Sequence, residues 1–374
     1  MTDSRELSIQ LVGGFSTDEI AELSRQLAPA RFGALLLPWS EHARSCHPEQ
    51  LALYYYIVRH GDQVVGLATL HVIERLDIAS FLGTRLRKLG GWMEGIGVSP
   101  PGLRVGFLEI PLMNLPGLVL LPAWERARDA VRARIVEHAR GRLGMHALCV
   151  KLSPATLGSH ARRVGLLRMS VLDNAVLPIA GFADYQAYLA HLSWKRRQNI
   201  RRSRAKLARS GAGIERLPMS RAPAGTLFRL FANVADNAHR TGRIPLTLRI
   251  GELFFARLPT LDRLAHVSVI RQRGEIACFL LVLRAGGTRY FKYYGAEHGR
   301  ARPLDGYFNL LQHELEAAID DGCQLVDLGA TSYAYKRRMG CSFEPTEYGI
   351  DVYQPLLRPL VGLVARRLEQ ARDR

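Results

Sequence analysis

The sequence predicts a mixed α/β (α+β) fold built from two tandem units, each a mixed, mostly antiparallel sheet flanked by helices. Three observations predict it. Alternating strand-like runs joined by glycine turns are followed by long helical patterns; the same element order occurs twice along 374 residues; and a short motif recurs in the same slot of both copies. A soft expectation of about 150 residues per domain agrees with two units.

In the first half, YYYIVRHGDQVVGLATLHVI (54–73) reads as a hairpin, RVGFLEI (104–110) as a strand and WERARDAVRARIVEHARGRLG (124–144) as a helix. HALCVKLSP (146–154), a second short helix and SVLDNAVLPI (170–179) follow. In the second half, HVSVIRQRGEIACFLLVLRAGGTRYFKYY (266–294) gives three strands with tight turns at Arg273-Gly274 and Gly286-Gly287. A loop with Gly299, Pro303 and Gly306 then leads to a helix in which Tyr307, Leu311, Leu315 and Ile319 recur at helical spacing and Gly322 stops the pattern. QLVDLG (324–329) is a short buried strand, Tyr335 to Met339 a short helix, and EYGIDVY (347–353) a final strand. SHARRVGL (Ser159–Leu166) and AYKRRMGC (Ala334–Cys341) share an Arg-Arg-apolar-Gly core, which in register with the element order argues for duplication. The expected boundaries are 1–180 for the first unit, 181–213 for a basic connecting helix, and 214–374 for the second unit with a basic C-terminal helix.

Composition narrows the function. Hydrophobic residues at 48% and charged residues at 23% describe a folding chain. No apolar run approaches the roughly 20 residues of a membrane span, and MTDSRELSIQ lacks an apolar leader, so a cytoplasmic location is expected. Five scattered cysteines without C-x-x-C spacing read as reduced core residues, and no metal site is expected. The net charge of +17 gathers anions: nucleic acid, phosphorylated cofactors or acidic lipid. Much of it lies in HLSWKRRQNIRRSRAKLARSG (191–211), which carries no acid and needs either solvent or an anionic partner. G-x-S-x-G, the P-loop and the Rossmann fingerprint are all missing.

Four features together, the SWKRRQNIRR helix, the RPLDGYFNLLQHELEAAIDDG helix, the QLVDLG strand and the YAYKRRMG segment, resemble the acyl-transferring domain of the GNAT superfamily, in the branch near the Fem aminoacyltransferases. They cover about half the chain. The resemblance implies tandem GNAT units and metal-free transfer of an acyl group from a thioester or ester to an amine. It further implies acyl-CoA, or an acyl carrier protein, as co-substrate rather than a permanently bound cofactor, with an aminoacyl-tRNA donor left open. The glycine-rich pyrophosphate turn of many GNAT proteins is replaced here by AEHGRARPLDG. A helix N-terminus at Gly306, helped by Arg300 and Arg302, can still bind phosphate.

Asp327, at the C-terminal end of a central strand, is a candidate base for the amine, or else a carboxylate pairing locally. The resemblance makes Tyr335 and Tyr333 candidates for protonating the leaving thiolate. Lys336 and Arg337 are candidates for donor phosphates, and Tyr293 or Tyr294 for the acyl group; alternation sends these two to opposite faces. Asp236, Asn237, His239 and Arg240 gather on one segment as candidate acceptor contacts, with His239 as an alternative base. The N-terminal copy lacks the paired tyrosines and is read as non-catalytic.

FLGTRLRKLGGWM (81–93) and PLLRPLVGLVARRLEQARDR (355–374) mix aliphatic residues with cations, as helices lying on anionic membranes do. Together with the resemblance they suggest long-chain acyl transfer to a lipid amine of the sphingoid type, as in bacterial ceramide synthases, by a protein peripheral on the inner face of the membrane. The alternatives are a Fem-like aminoacyltransferase acting on a cell-wall precursor and, in another class, a nucleic-acid-binding protein using the 193–209 helix. The latter is disfavoured because Trp194 is the one aromatic of that run.

Overall fold

The computed structural model describes residues 6–76, 102–152, 166–240, 248 and 250–372, side chains of 237–240 and 371–372 excepted. The 81–93 segment, the short helix and SHARR motif of the first half, and the side chains of Asn237, His239 and Arg240 lie outside them. In chain order the elements are β1 (Leu7–Val12), α1 (Thr17–Gln26), α2 (Gly33–Cys46), β2 (Leu51–His60), β3 (Gln63–Leu76), β4 (Leu103–Leu108), β5 (Leu118–Leu120), α3 (Arg128–Arg140), β6 (Ala147–Leu152) and β7 (Leu167–Pro178). There follow α4 (Tyr185–His191), α5 (Trp194–Arg209), β8 (Gly213–Pro218), α6 (Ala224–Arg240), α7 (Glu252–Ala256), β9 (Ala265–Gln272), β10 (Glu275–Ala285) and β11 (Thr288–Ala296). The chain closes with α8 (His298–Ala301), α9 (Gly306–Asp320), β12 (Leu325–Gly329), α10 (Tyr333–Met339), β13 (Ser342–Val352) and α11 (Arg358–Arg372).

Two compact units emerge: Met1–Leu172 with Ile244–Arg249 and Pro345–Arg374, and Asp173–Arg243 with Ile250–Glu344. Their topologies are the same. In the first, β1, β2, β3 and β4 pair antiparallel, β4 and β6 pair parallel across the α3 crossover, and β13 closes the order antiparallel to β6. In the second, β8 to β11 pair antiparallel, β11 and β12 parallel across the α9 crossover, and β7 closes the order antiparallel to β12.

The closing strands are therefore exchanged. The strand that ends the first half of the sequence completes the second unit, and the strand that ends the chain completes the first. The division accordingly differs from boundaries at 180 and 213. Helix α11 belongs with the first unit, where Val361, Ala365 and Leu368 pack in a core with Leu51, Ile73, Val105 and Phe107, and the basic helix α5 belongs inside the second.

Local chemistry explains the second unit's hairpins. Arg273 (φ 51°) with Gly274 (φ 81°), and Gly286 (φ 54°) with Gly287 (φ 69°), are consecutive left-handed pairs that suit two-residue hairpins. Helix α9 packs Leu310, Leu311, Leu315 and Ala318 into the core on one sheet face, with Phe291, Val326 and Leu328. On the other face Gly295 is a close-approach glycine: a Cβ there would lie 2.7 Å from the Phe231 backbone nitrogen of α6. A bulge between Leu281 and Val282 of β10 leaves Lys292 as the extra residue of β11.

Candidate active site

The chemistry-bearing groups of the second unit collect where β11 and β12 part. These strands pair only over Thr288–Tyr290 and Leu325–Asp327, whereas β11 runs on to Ala296. Beyond Asp327 the two backbones no longer satisfy each other, and the fork opens toward the start of α9 and the β12–α10 turn. That turn is strained. Gly329 has φ 69°, Thr331 φ 68° and Ser332 φ 51°, and a non-glycine residue held at positive φ costs on the order of 1–3 kcal/mol.

A tyrosine ladder lines the fork. Tyr294 of β11 packs edge-on against Tyr307 of α9 with ring centroids 4.8 Å apart, and Tyr307 against Tyr335 of α10 at 5.5 Å. The hydroxyl of Tyr294 pairs with the Cys278 thiol and that of Tyr307 with the Ser332 side chain. Burial pushes the Tyr294 and Tyr307 phenols well above their ordinary value and the Cys278 thiol up to about 12. The ladder ends in Tyr335, which is 39% exposed, with the Arg338 guanidinium over its ring at 5.4 Å.

The candidates read from sequence separate into exposed and structural groups. Asp327 is buried: its Oδ2 accepts from Asn174 Nδ2 at 2.9 Å and its Oδ1 from the Gly329 N–H at 2.8 Å, which fastens β12 to β7 and starts the turn. No hydrogen bond joins Asp327 to Tyr335 among the described residues. Tyr333 donates its hydroxyl to the Asp173 carbonyl at 2.8 Å and packs on Phe343. Lys336, fully buried, donates to the carbonyls of Gly329 and Ala330, both at 2.8 Å, and clasps the strained turn. Burial pushes its ammonium down to about 8, with Cys341 and Asp327 opposing the shift. Neither Tyr333 nor Lys336 presents its polar end to solvent. Arg337 is exposed, its guanidinium over the rings of Tyr333 and Phe343.

Tyr293 and Tyr294 do face opposite ways. Tyr293 packs against Phe231 of α6 and Phe254 of α7, away from the ladder. Arg300 is engaged by Glu275 and Glu297, while Arg302 is exposed without an ion pair among the described residues. Gly306 is buried because a Cβ would sit 2.6 Å from the Cys278 sulfur, so it is required by packing. The N–H groups of Gly306, Tyr307 and Phe308 have no backbone acceptor outside the helix, and Asp305 before them is met by Lys206 at 3.0 Å. With Arg302 beside it, this helix start fits a diphosphate. Asp236 is exposed near the end of α6.

Sequence reasoning missed several groups. Lys292 was hidden inside an alternating strand and is marked only by the bulge. Tyr307 was read as a helical apolar residue. Beneath the fork, fully buried Glu314 of α9 accepts from Arg216 at 2.7 Å, Ser268 at 2.5 Å, His266 at 3.0 Å and buried Arg289 at 3.0 Å. These hydrogen bonds and charges outweigh burial and hold the Glu314 carboxyl far below its usual range. No periodicity reveals that an acid on an apolar helix face will meet cations from three different strands.

Comparison with known proteins places this geometry in a class. Residues 194–337 match the acetyltransferase (GNAT) domain. The whole chain aligns with the crystal structure of FemX at 12% identity, covering 94% of this chain and 99% of that one, with a TM-score of 0.61. It also aligns with L-PGS from Bacillus licheniformis (11% identity, 94% and 97% covered, TM-score 0.55). The C-terminal domain of a putative lysylphosphatidylglycerol synthetase from Agrobacterium fabrum aligns similarly (15% identity, 94% and 97% covered, TM-score 0.54). No curated protein sequence matches. The chain carries a GNAT acetyltransferase domain within a Fem-like tandem GNAT fold.

Proposed function

We propose that the protein is an N-acyltransferase that moves an acyl group directly from an acyl thioester, acyl-CoA or an acyl carrier protein, to a primary amine. The observation that carries this reading is the tyrosine ladder opening at the fork beside the start of α9. The neutral amine nitrogen adds to the thioester carbonyl carbon, a C–N bond forms and the C–S bond breaks. The amine proton leaves to water, and the thiolate departs with a proton from Tyr335, which solvent restores. Arg302 and the first N–H groups of α9 hold the diphosphate of the donor. Asp327 and Lys336 act by fixing the turn. The acceptor meets the end of α6 at Asp236, with Asn237, His239 and Arg240 following. The first unit is the non-catalytic partner.

The acceptor in this reading is a lipid amine of the sphingoid type, taken at an anionic membrane surface on the cytoplasmic side. Its support is the C-terminal segment: Leu356 is 94% exposed and Leu363 38%, beside exposed Arg358, Arg366 and Arg367. No helix among the described residues is long and apolar enough to cross a membrane. A second reading, aminoacyl transfer to a cell-wall precursor, is favoured by the likeness to FemX.

The test incubates the protein with acetyl-CoA, palmitoyl-CoA and sphingoid amines, following thiol release and new amide masses. Amine-dependent release that falls about 100-fold in Tyr335→Phe is expected. Silence with every acyl-CoA alongside transfer from an aminoacyl-tRNA would overturn the first reading in favour of the second. Failure to co-sediment with phosphatidylglycerol vesicles at physiological salt would remove the membrane acceptor.

A further inference from the structure

Helix α5 presents cations that no part of the site uses. Its inner side is settled: Ile200 and Ser203 are buried, Arg204 pairs with Glu316 at 2.7 Å and Lys206 with Asp305 at 3.0 Å, and Arg197 bonds the carbonyls of Ala190 and Leu192. Its outer side is different. Lys195, Arg201, Arg202 and Arg209 are exposed and make no ion pair among the described residues, and Trp194 at the helix start is 68% exposed. Lys195, Arg202 and Arg209 are spaced by seven residues, as are Trp194 and Arg201, so the five side chains form two adjoining lines along one face. The helix carries no acid that could neutralise them.

The stripe lies beside the donor end of the site. The Ser203 carbonyl accepts from Asn309 of α9 at 3.1 Å, and Lys206 meets Asp305 just ahead of the α9 N-terminus. From Lys206 back to Trp194 is twelve residues, roughly 18 Å of helix at 1.5 Å per residue. A diphosphate held at the start of α9 lies next to Lys206, while Trp194 and Lys195 lie eleven to twelve residues back along the helix, roughly 16–18 Å away.

We propose that the outer face of α5 docks an acidic protein that delivers the acyl thioester, an acyl carrier protein whose phosphopantetheine arm enters at the α9 end of the stripe. This rests on the acyltransferase reading above and names the donor class of the same site. Charge complementarity supplies the attraction, and Trp and Arg are the residues that most often anchor protein interfaces. A bilayer fits less well, because apart from Trp194 the face offers only Ala205 and Ala208 to insert. RNA fits less well because one aromatic makes a poor stacking platform.

The test titrates palmitoyl-loaded acyl carrier protein into the full-length protein, reading Trp194 fluorescence and heat at 50 and 300 mM salt. It compares wild type with Lys195→Glu/Arg202→Glu/Arg209→Glu, whose folding is checked by circular dichroism. The expected result is saturable binding that weakens at least tenfold in the variant and with salt, while the KM for palmitoyl-CoA changes less than twofold. Undetectable carrier binding, or equal binding by the variant, overturns the proposal. So does loss in the variant of binding to phosphatidylglycerol vesicles or to tRNA with carrier binding intact. Carrier binding with no acyl transfer from any thioester would instead overturn the acyltransferase reading and leave the docking surface standing.

Discussion

The two units have one topology and treat the same fork in opposite ways. In the second unit the strands β11 and β12 part around the tyrosine ladder, whose last member is half exposed. In the first, β4 and β6 pair over Val105–Leu108 and Ala147–Val150, and the space beyond is filled from within. Buried Tyr348 of β13 donates to Glu109 at 2.6 Å and Asn114 at 3.2 Å, and Lys151 donates to the Asn114 carbonyl at 2.8 Å. His71 bonds the Glu109 carbonyl at 3.1 Å. Among the described residues, this fork is occupied by its own side chains.

The crossover helices differ in the same sense. A 3-10 turn, Pro122–Ala127, runs straight into α3, whose start carries the ion pairs Arg128–Glu125 and Arg132–Asp129. Helix α9 instead begins abruptly after Asp305 in the left-handed conformation, and Lys206 neutralises that acid. The two units thus share a scaffold and differ in the polar residues at the fork and the helix start.

That contrast can be broken most severely from below. Glu314→Ala leaves buried Arg289 with Asp321 as its remaining acidic partner and strips His266 and Ser268 of their acceptor, and breaking a buried pair costs about 3–5 kcal/mol; chemical denaturation should show this loss, whereas a change under about 1 kcal/mol would mean that water or Asp321 replaces the carboxylate. At the fork, Tyr335→Phe should lower kcat about 100-fold. Tyr348→Phe, at the fork of the first unit, should cost about 1 kcal/mol of stability and leave kcat unaltered; equal kcat losses in both variants would erase the distinction between the units.

Lys336 gives a pH test. Its folded pKa, about 8, lies below the ordinary 10.5, so between those values the unfolded chain binds more protons and stability rises with pH. Wild type should gain on the order of 2 kcal/mol from pH 8 to 10 relative to Lys336→Met, measured by urea denaturation at each pH. A flat difference would place the ammonium in contact with water. The smallest effect concerns the helix starts: Arg302→Ala should raise the KM for acyl-CoA about tenfold, while Arg128→Ala at the corresponding end of α3 should leave it unchanged.

Much of the fold is legible in the residues because its rules are local. The Arg273-Gly274 and Gly286-Gly287 pairs dictate hairpins, the spacing of Tyr307, Leu311, Leu315 and Ile319 dictates α9, and the repeated element order dictates two units of one kind. The Trp194–Arg209 helix and its unbalanced charge are equally visible. The site was legible only as a neighbourhood. The sequence brought acid, phenol and cation together in DLGATSYAYKRRMG, but Asp327, Tyr333 and Lys336 turn inward to secure the turn, while Tyr335 reaches solvent with its ring on the ladder and Arg337 is exposed.

Other features required the tertiary structure. Tyr307 and Tyr294 are far apart in sequence and meet because α9 crosses over β11. Glu314 finds Arg216, His266 and Arg289 on three strands. The exchange of β7 and β13 between the units is of this kind too. A strand's residues determine that it will pair and which face it buries, but the edge it pairs with depends on which backbone donors and acceptors the rest of the chain leaves open, and that is fixed only when the sheets assemble.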